Sequence, residues 1–267
     1  MKNAKKSLKS DLKSSPRGIK RTAASISIFT VPIFGTRKLE VLRKIYLQRK
    51  ELLHVVTVNS EYIMETLTNP PFGSMLSQSL TVADGYGIVW ASKILHNRQV
   101  ERISGIELVQ SILQHASEAG EKVFLLGAKP GVAERAALAM SKKYPGTRLA
   151  TYSGAESVSL EKREEASMTI AKINAYEPHY LLVAYGSPWQ DMWIEENRPY
   201  LRARVAIGIG GVLDEWAGVV TPCPSWIDQI GLKWLWRFVH EPSRWRRILK
   251  VWQFGLLVLW ERLKRSF

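Results

Sequence analysis

Short, nearly unbroken apolar runs alternate along this chain with longer segments whose apolar positions recur every three or four residues. The runs lie at 54–59 (HVVTVN), 79–83 (SLTVA), 122–128 (KVFLLGA), 147–154 (TRLATYSG), 179–186 (HYLLVAYG) and 204–211 (RVAIGIGG). Between them the spacing predicts helices over 61–68, 86–95, 105–119, 131–143, 159–176 and 189–202. A strand with one wet face alternates apolar with polar residues, so runs that are apolar throughout are buried on both faces. Alternation of such strands with helices predicts an α/β fold, a mostly parallel sheet with helices on both faces. A further strand is expected to open the folded part within TAASISIFTVPIFG (22–35). No internal repeat is visible.

Ligands of such sheets bind beyond the carboxyl ends of the strands, so the residues just after each apolar run carry the interest. These are Thr57 and Asn59, then Asp84, Gly127, the group Ser187, Pro188, Gln190 and Asp191, and finally Asp214. Asp84-Gly85 taken alone reads as turn chemistry, since Asp bonds its own backbone and Gly supplies positive φ. Its recurrence among polar groups at strand ends makes Asp84 one of several side chains expected to converge on one edge.

Composition narrows the classes. With 267 residues, 46% hydrophobic and 23% charged, the chain can bury one large domain, with or without an appendage. A single cysteine, Cys223, excludes an internal disulfide and fits a reducing compartment, and the five histidines are too scattered to suggest a metal site. The net charge of +14 is uneven: +7 falls in residues 1–26 and +6 in 227–267, leaving +1 between them. Basic ends on a neutral body suit tails that meet an anionic surface better than a groove lined for a duplex. Residues 1–26 are expected to be a disordered basic arm, 27–225 the α/β domain, and 226–267 an appendage. Lys20-Arg21 and the apolar stretch after it imitate a signal peptide, but serines and Pro32 interrupt the run and no small-x-small cleavage site follows.

Known motifs mostly fail. GIGG at 208–211 lacks the spacing, the position and the distant acid of a dinucleotide fingerprint, although its glycines would let a backbone approach a nucleotide or a sugar closely. There is no phosphate-binding P-loop, no G-x-S-x-G elbow and no Asp-x-Asp pair, the metal clamp of many sugar-nucleotide transferases. No metal and no cofactor is therefore expected. Six of the ten tryptophans lie between Trp226 and Trp260, interleaved with Arg237, Arg244, Arg246 and Arg247. That pattern fits a core helix, a single-stranded nucleic-acid platform or a membrane-interface segment, and the rising Trp, Leu and Val content up to WQFGLLVLW favours the last. The run falls short of the roughly 20 apolar residues that span a bilayer.

Six ordered motifs then carry a resemblance. They are Thr57-Val58-Asn59-Ser60-Glu61, DGYG (84–87), ERISG (101–105), GSPWQD (186–191), GIGGVLDEWAG (208–218), and the run from Trp234 to Arg247. Over about residues 27–250 the chain resembles the WecG/TagA/CpsF family of bacterial glycosyltransferases. The resemblance implies a Rossmann-like body with a C-terminal, membrane-facing helical appendage. It implies an inverting, metal-independent transfer of a sugar from a nucleotide sugar to a polyprenyl-diphosphate-linked saccharide. The donor would be UDP-linked N-acetylmannosamine, its uronic acid, or glucose. The protein would work in cell-surface polysaccharide synthesis, cytoplasmic and peripheral on the inner face of the plasma membrane, with an anionic membrane surface as partner and no nucleic acid. A homo-oligomer is compatible.

Carried over by motif, Asp84 falls on the family's proposed general base, with Thr57 beside it in the catalytic pocket. Asn59, Arg102, Gln190, Asp191, Gly210 and Gly211 fall on substrate-binding positions. Arg237, Arg244 and Arg247 match appendage arginines expected to meet diphosphate, for which a forked guanidinium is suited. The chain departs from the family pattern at Pro222-Cys223-Pro224, where Arg-Ala-Pro is usual, at Lys233, where Glu is usual, and at Trp189, where Lys is usual. The competing reading from another class is a non-catalytic nucleotide- or nucleic-acid-binding α/β module, which would need no acid at position 84. A nicotinamide-dependent reductase stands third.

Overall fold

The computed structural model describes residues 25–34, 36–155, 157–240 and 245–265. The expected basic arm and the first residues of the signal-like stretch lie outside them. Six strands form one parallel sheet in the order β4-β3-β8-β7-β5-β6. They are β3 (Leu53–Val58), β4 (Leu80–Ala83), β5 (Lys122–Gly127), β6 (Arg148–Tyr152), β7 (Tyr180–Ala184) and β8 (Val205–Gly208). Five fall within the apolar runs, and β3 starts one residue before its run, at Leu53. Alternate residues of one strand feed opposite cores: Val123 and Leu125 of β5 enter one cluster, Phe124 and Leu126 the other. This two-sided burial leaves no polar alternation for the sequence to show.

On the first face pack α1 (Lys38–Leu47), α5 (Gly105–Ala119) and α6 (Val132–Lys143). In α5 the buried residues Leu108, Val109, Ile112, Leu113 and Ala116 form one stripe, the spacing of 3.6 residues per turn. The other face carries α2 (Ser60–Thr66), α3 (Pro70–Gln78) and α4 (Tyr86–His96), then α7 (Arg163–Tyr176) and α8 (Trp189–Asn197). Short helices α9 (Val212–Trp216) and α10 (Ser225–Gln229) lead to α11 (Lys233–His240) and α12 (Trp245–Lys264). α12 lays Phe254 and Val258 into the core between α2 and α4. No helix among the described residues is long and apolar enough to cross a membrane.

Some boundaries differ from the sequence pattern. The opening segment is not one strand but an antiparallel hairpin, β1 (Ile26–Ile28) and β2 (Val31–Ile33), joined to the sheet edge where Phe34 N donates to Thr81 O at 3.1 Å. The helix predicted over 189–202 stops at Asn197 because Pro199 diverts the chain into a 3₁₀ turn. α3, which is not among the predicted helices, opens on Pro70-Pro71; Asn69 caps it by accepting from Phe72 N at 3.2 Å, and a proline in the first turn lacks only an N–H that had no partner there.

Candidate active site

The carboxyl ends of β3, β4, β7 and β8 open onto one cleft of about 980 Å³, closed on its far side by α10, α11 and the start of α12. Thr57 and Asn59 leave β3 at its floor. Thr57 Oγ1 would stand 3.3 Å from a Cβ on Gly105, so the glycine of ERISG gives the threonine its room. Asn59 caps α2, its Oδ1 accepting from Tyr62 N at 3.1 Å.

Asp84 follows β4 directly, its N–H donating to Val58 O at 2.8 Å, and its side chain is half-buried in the cleft. Gly85 then turns the chain into α4 with φ +86°, a conformation without cost only for glycine. Gly87 answers a different need: a Cβ there would collide with Ser60 Oγ and stand 3.5 Å from Phe254 Cε1. Burial pushes the Asp84 carboxyl above its ordinary pKa; Lys233, Arg102 and Arg237 pull it back down, and Asp228 pushes it up.

The cleft's guanidiniums are engaged by carboxylates. Arg102 forms a fork on Asp228, at 2.8 and 3.0 Å, and lies over the Tyr86 ring. Burial opposes charge on Asp228, but the Arg102 bonds and the Lys233 charge outweigh it and hold that carboxyl below its ordinary value. Tyr86 Oη donates to Gln229 O at 2.6 Å, which ties α4 to α10. Arg237 bonds Glu215 at 2.6 Å, and Arg247 lies 3.7 Å from Glu61. Lys233, by contrast, has no carboxylate within ion-pair distance among the described residues. Arg244 lies outside the described residues.

Gln190 lines the cleft while almost wholly buried, and its Oε1 accepts from Gly210 N at 2.8 Å. Gly210 and Gly211 form the turn that leaves β8. Asp191 faces the other way. It is 1% exposed and lines no part of the cleft; Tyr62 Oη donates to it at 2.6 Å and His54 Nε2 lies 3.2 Å away. Of the eleven side chains and glycines carried over by motif, nine therefore line this one cleft, Asp191 stands behind its wall, and Arg244 is undescribed; of the other strand-end residues, Ser187 and Asp214 line it and Gly127 and Pro188 do not. Glu215, Asp228, Tyr62 and Tyr86 were not singled out, because their roles depend on partners more than 20 residues distant in the chain.

The cleft thus holds a half-buried carboxylate, several cations and glycine backbone at strand ends, a set that can take a proton at one end and balance phosphate charge at the other. Among the described residues no three His, Cys, Asp or Glu side chains are grouped as a metal would need. The model of the glycosyl transferase WecG/TagA/CpsF family matches residues 26–267. Among curated relatives, the N-acetylglucosaminyldiphosphoundecaprenol N-acetyl-beta-D-mannosaminyltransferase of Bacillus subtilis (strain 168) is 31% identical over 87% of this chain and 89% of its own. The enzymes of the same name from Bacillus spizizenii and Staphylococcus aureus (strain MRSA252) are 32% and 30% identical, over 82% and 84% of this chain and 83% and 87% of theirs.

Proposed function

This chain belongs to the WecG/TagA/CpsF family of glycosyltransferases, and from that premise we propose that it transfers an N-acetylhexosamine from a UDP-sugar to N-acetylglucosaminyl-diphosphoprenol. The bare glycosyl transfer to a polyprenyl-diphosphate-linked saccharide is common to the named relatives. They are transferases, and a binding module without chemistry does not fit them. The observation that carries the site assignment is Asp84, at the end of β4, in a cleft whose other wall is cationic.

The Asp84 carboxylate takes the proton of the acceptor hydroxyl as that oxygen attacks the anomeric carbon. The carbon–oxygen bond to the donor diphosphate breaks, and its electron pair leaves with UDP. A single displacement of this kind inverts the anomeric centre. Thr57 and Asn59 shape the sugar pocket beside Asp84. Lys233 and Arg237 offset the charge of the leaving diphosphate, the task a metal performs elsewhere, and Arg247 on α12 meets the diphosphate of the acceptor.

The appendage supplies the lipid side. Along α12 the residues Trp245, Leu249, Trp252, Leu256, Leu259 and Leu263 are exposed, 46–67% each, on the face opposite buried Phe254 and Val258. Over 20 residues this makes a ridge about 30 Å long, apolar and ending in a basic last turn with Arg262 and Lys264. An apolar ridge with a basic end suits the headgroup plane of an anionic membrane, which would make the protein peripheral on the cytoplasmic face. Two assays test the reading. Asp84→Asn, given UDP-N-acetylmannosamine and a synthetic N-acetylglucosaminyl-diphosphoprenol, should bind donor and fail to transfer; undiminished transfer would remove Asp84 from the reaction. Trp252→Glu with Leu256→Glu should abolish sedimentation with phosphatidylglycerol vesicles, and unchanged sedimentation would detach the ridge from the membrane.

A further inference from the structure

Behind the wall that Gln190 forms runs a buried polar chain for which the transfer mechanism above has no use. Asp191 Oδ2 accepts from Tyr62 Oη at 2.6 Å and from Gln190 Nε2 at 3.3 Å. Its Oδ1 lies 3.2 Å from His54 Nε2. The imidazole's other nitrogen lies 3.2 Å from Ser79 Oγ and 3.6 Å from Glu195 Oε2. Both His54 and Asp191 are 1% exposed, and an ion pair is expensive so deep unless its remaining lone pairs and protons are met. Here they are met.

The order of these bonds fixes a direction. A tyrosine hydroxyl has one proton, and the short contact to a carboxylate takes it. The Tyr62 oxygen can then only accept, and the group before it is Gln190 Nε2 at 3.2 Å. An amide whose Nε2 points inward must turn its Oε1 outward, and Oε1 is the atom that holds the Gly210 N–H. Were Asp191 neutral, the hydroxyl could turn, the amide could flip, and an N–H would face an N–H. Burial works against charge on His54, but Asp191 and Glu195 bond it from both sides and keep it readier to hold a proton than an ordinary histidine. Gly208 is part of the same fit, since a Cβ there would collide with Gln190 Nε2 and stand 2.6 Å from Asp191 Oδ1.

Within the transfer reaction proposed above, we infer that Asp191, Tyr62 and His54 are positioning residues for the nucleotide-sugar donor. They lock the Gln190 amide in the one orientation that holds the Gly208-to-Gly211 turn open to it. The donor is assigned to this end of the cleft because the appendage residues Trp234, Arg247 and Val251 occupy the other, where a lipid-linked acceptor must enter. The three residues touch no reacting atom, so their loss should appear in binding and not in the chemical step.

The test measures KM for UDP-N-acetylmannosamine, kcat and Tm in the full-length chain and three variants. Asp191→Asn should raise donor KM by about tenfold, the low end for losing a hydrogen bond to a charged group, with kcat within about threefold. Gln190→Glu, which sets carboxylate against carboxylate, should raise it further. Combining it with Asp191→Asn restores an amide–carboxylate pair in reversed order and should return KM to within about threefold of the unaltered chain. Tyr62→Phe keeps its ring against Phe72, at 5.3 Å between centroids, and should move donor KM the same way if Asp191→Asn fails to fold. A drop in Tm with donor KM unmoved, or a double variant no better than Gln190→Glu, would overturn the inference while leaving the reaction standing. Absence of transfer by the unaltered protein would overturn both.

Discussion

Phe254 decides whether α12 stays on the body. Its ring is 1% exposed, meets Phe29 edge-on at 6.3 Å and covers the backbone of Gly87. Among the described side chains of this helix only Val258 is buried as deeply. Polar ties include the pairs Arg247–Glu61 and Lys250–Glu65, at 3.7 and 2.9 Å, and Arg265 donating to Leu95 O at 3.1 Å. Partly exposed pairs of this kind contribute about 0.5 kcal/mol each. Phe254→Ala removes the burial and leaves a cavity, a loss of about 3–5 kcal/mol, several times what both ion pairs supply. If α12 opens as a unit, the open form should rise on the order of a thousandfold, at 1.4 kcal/mol per decade. Hydrogen exchange reads this directly: amides of α12 should lose about three decades of protection while those of β5 keep theirs. Equal loss in both elements would mean that the helix belongs to one cooperative core, and no loss would mean that Phe254 is not the anchor; either result refutes the reasoning.

Asp84→Asn should lower kcat by about 10²–10⁴, the usual contribution of a general base, and should raise Tm at pH 7.5. The sign follows from the raised pKa: folding favours the protonated acid, so the stabilisation is present below the unfolded value and lost as pH rises through the folded one. A fall in Tm in differential scanning calorimetry would contradict this. Because the base acts when ionised, kcat/KM should rise with pH through the Asp84 pKa. Lys233→Ala, removing the strongest positive influence on it, should move that limb to higher pH and Lys233→Arg should return it; an unmoved limb would show that the limb is not Asp84's. Transfer should survive excess EDTA, given the donor set among the described residues, and activity restored only by Mg²⁺ or Mn²⁺ would reverse that expectation.

Which parts of this molecule are legible in its sequence follows from the range of the forces involved. Five of the six sheet strands show because two-sided burial writes itself into consecutive residues, as in Leu181, Leu182 and Val183, whereas edge strand β6 buries none of its residues fully. α5 shows because five buried residues recur at helical spacing. α3 hides because its prolines imitate a loop, and α1 because only Val41 and Ile45 are buried in ten residues. In the site, strand-end position is enough to mark Thr57, Asn59, Asp84 and Gln190. It cannot tell Gln190, whose amide edges the cleft, from its neighbour Asp191, whose carboxylate turns to His54 from 137 residues away. Nor does it show that Arg102 is held by Asp228, a pairing across 126 residues.

The close fit of Gly87 against Ser60 and Phe254 also binds the history of three distant positions. A residue larger than glycine at 87 has no room unless 60 is reduced and 254 withdraws, and a smaller residue at 254 leaves a void beneath α12. Substitution at any one of the three is therefore selected in the company of the others. Across a set of related chains they should drift as a correlated triplet, joining the turn after Asp84 to the appendage through inheritance as well as through contact.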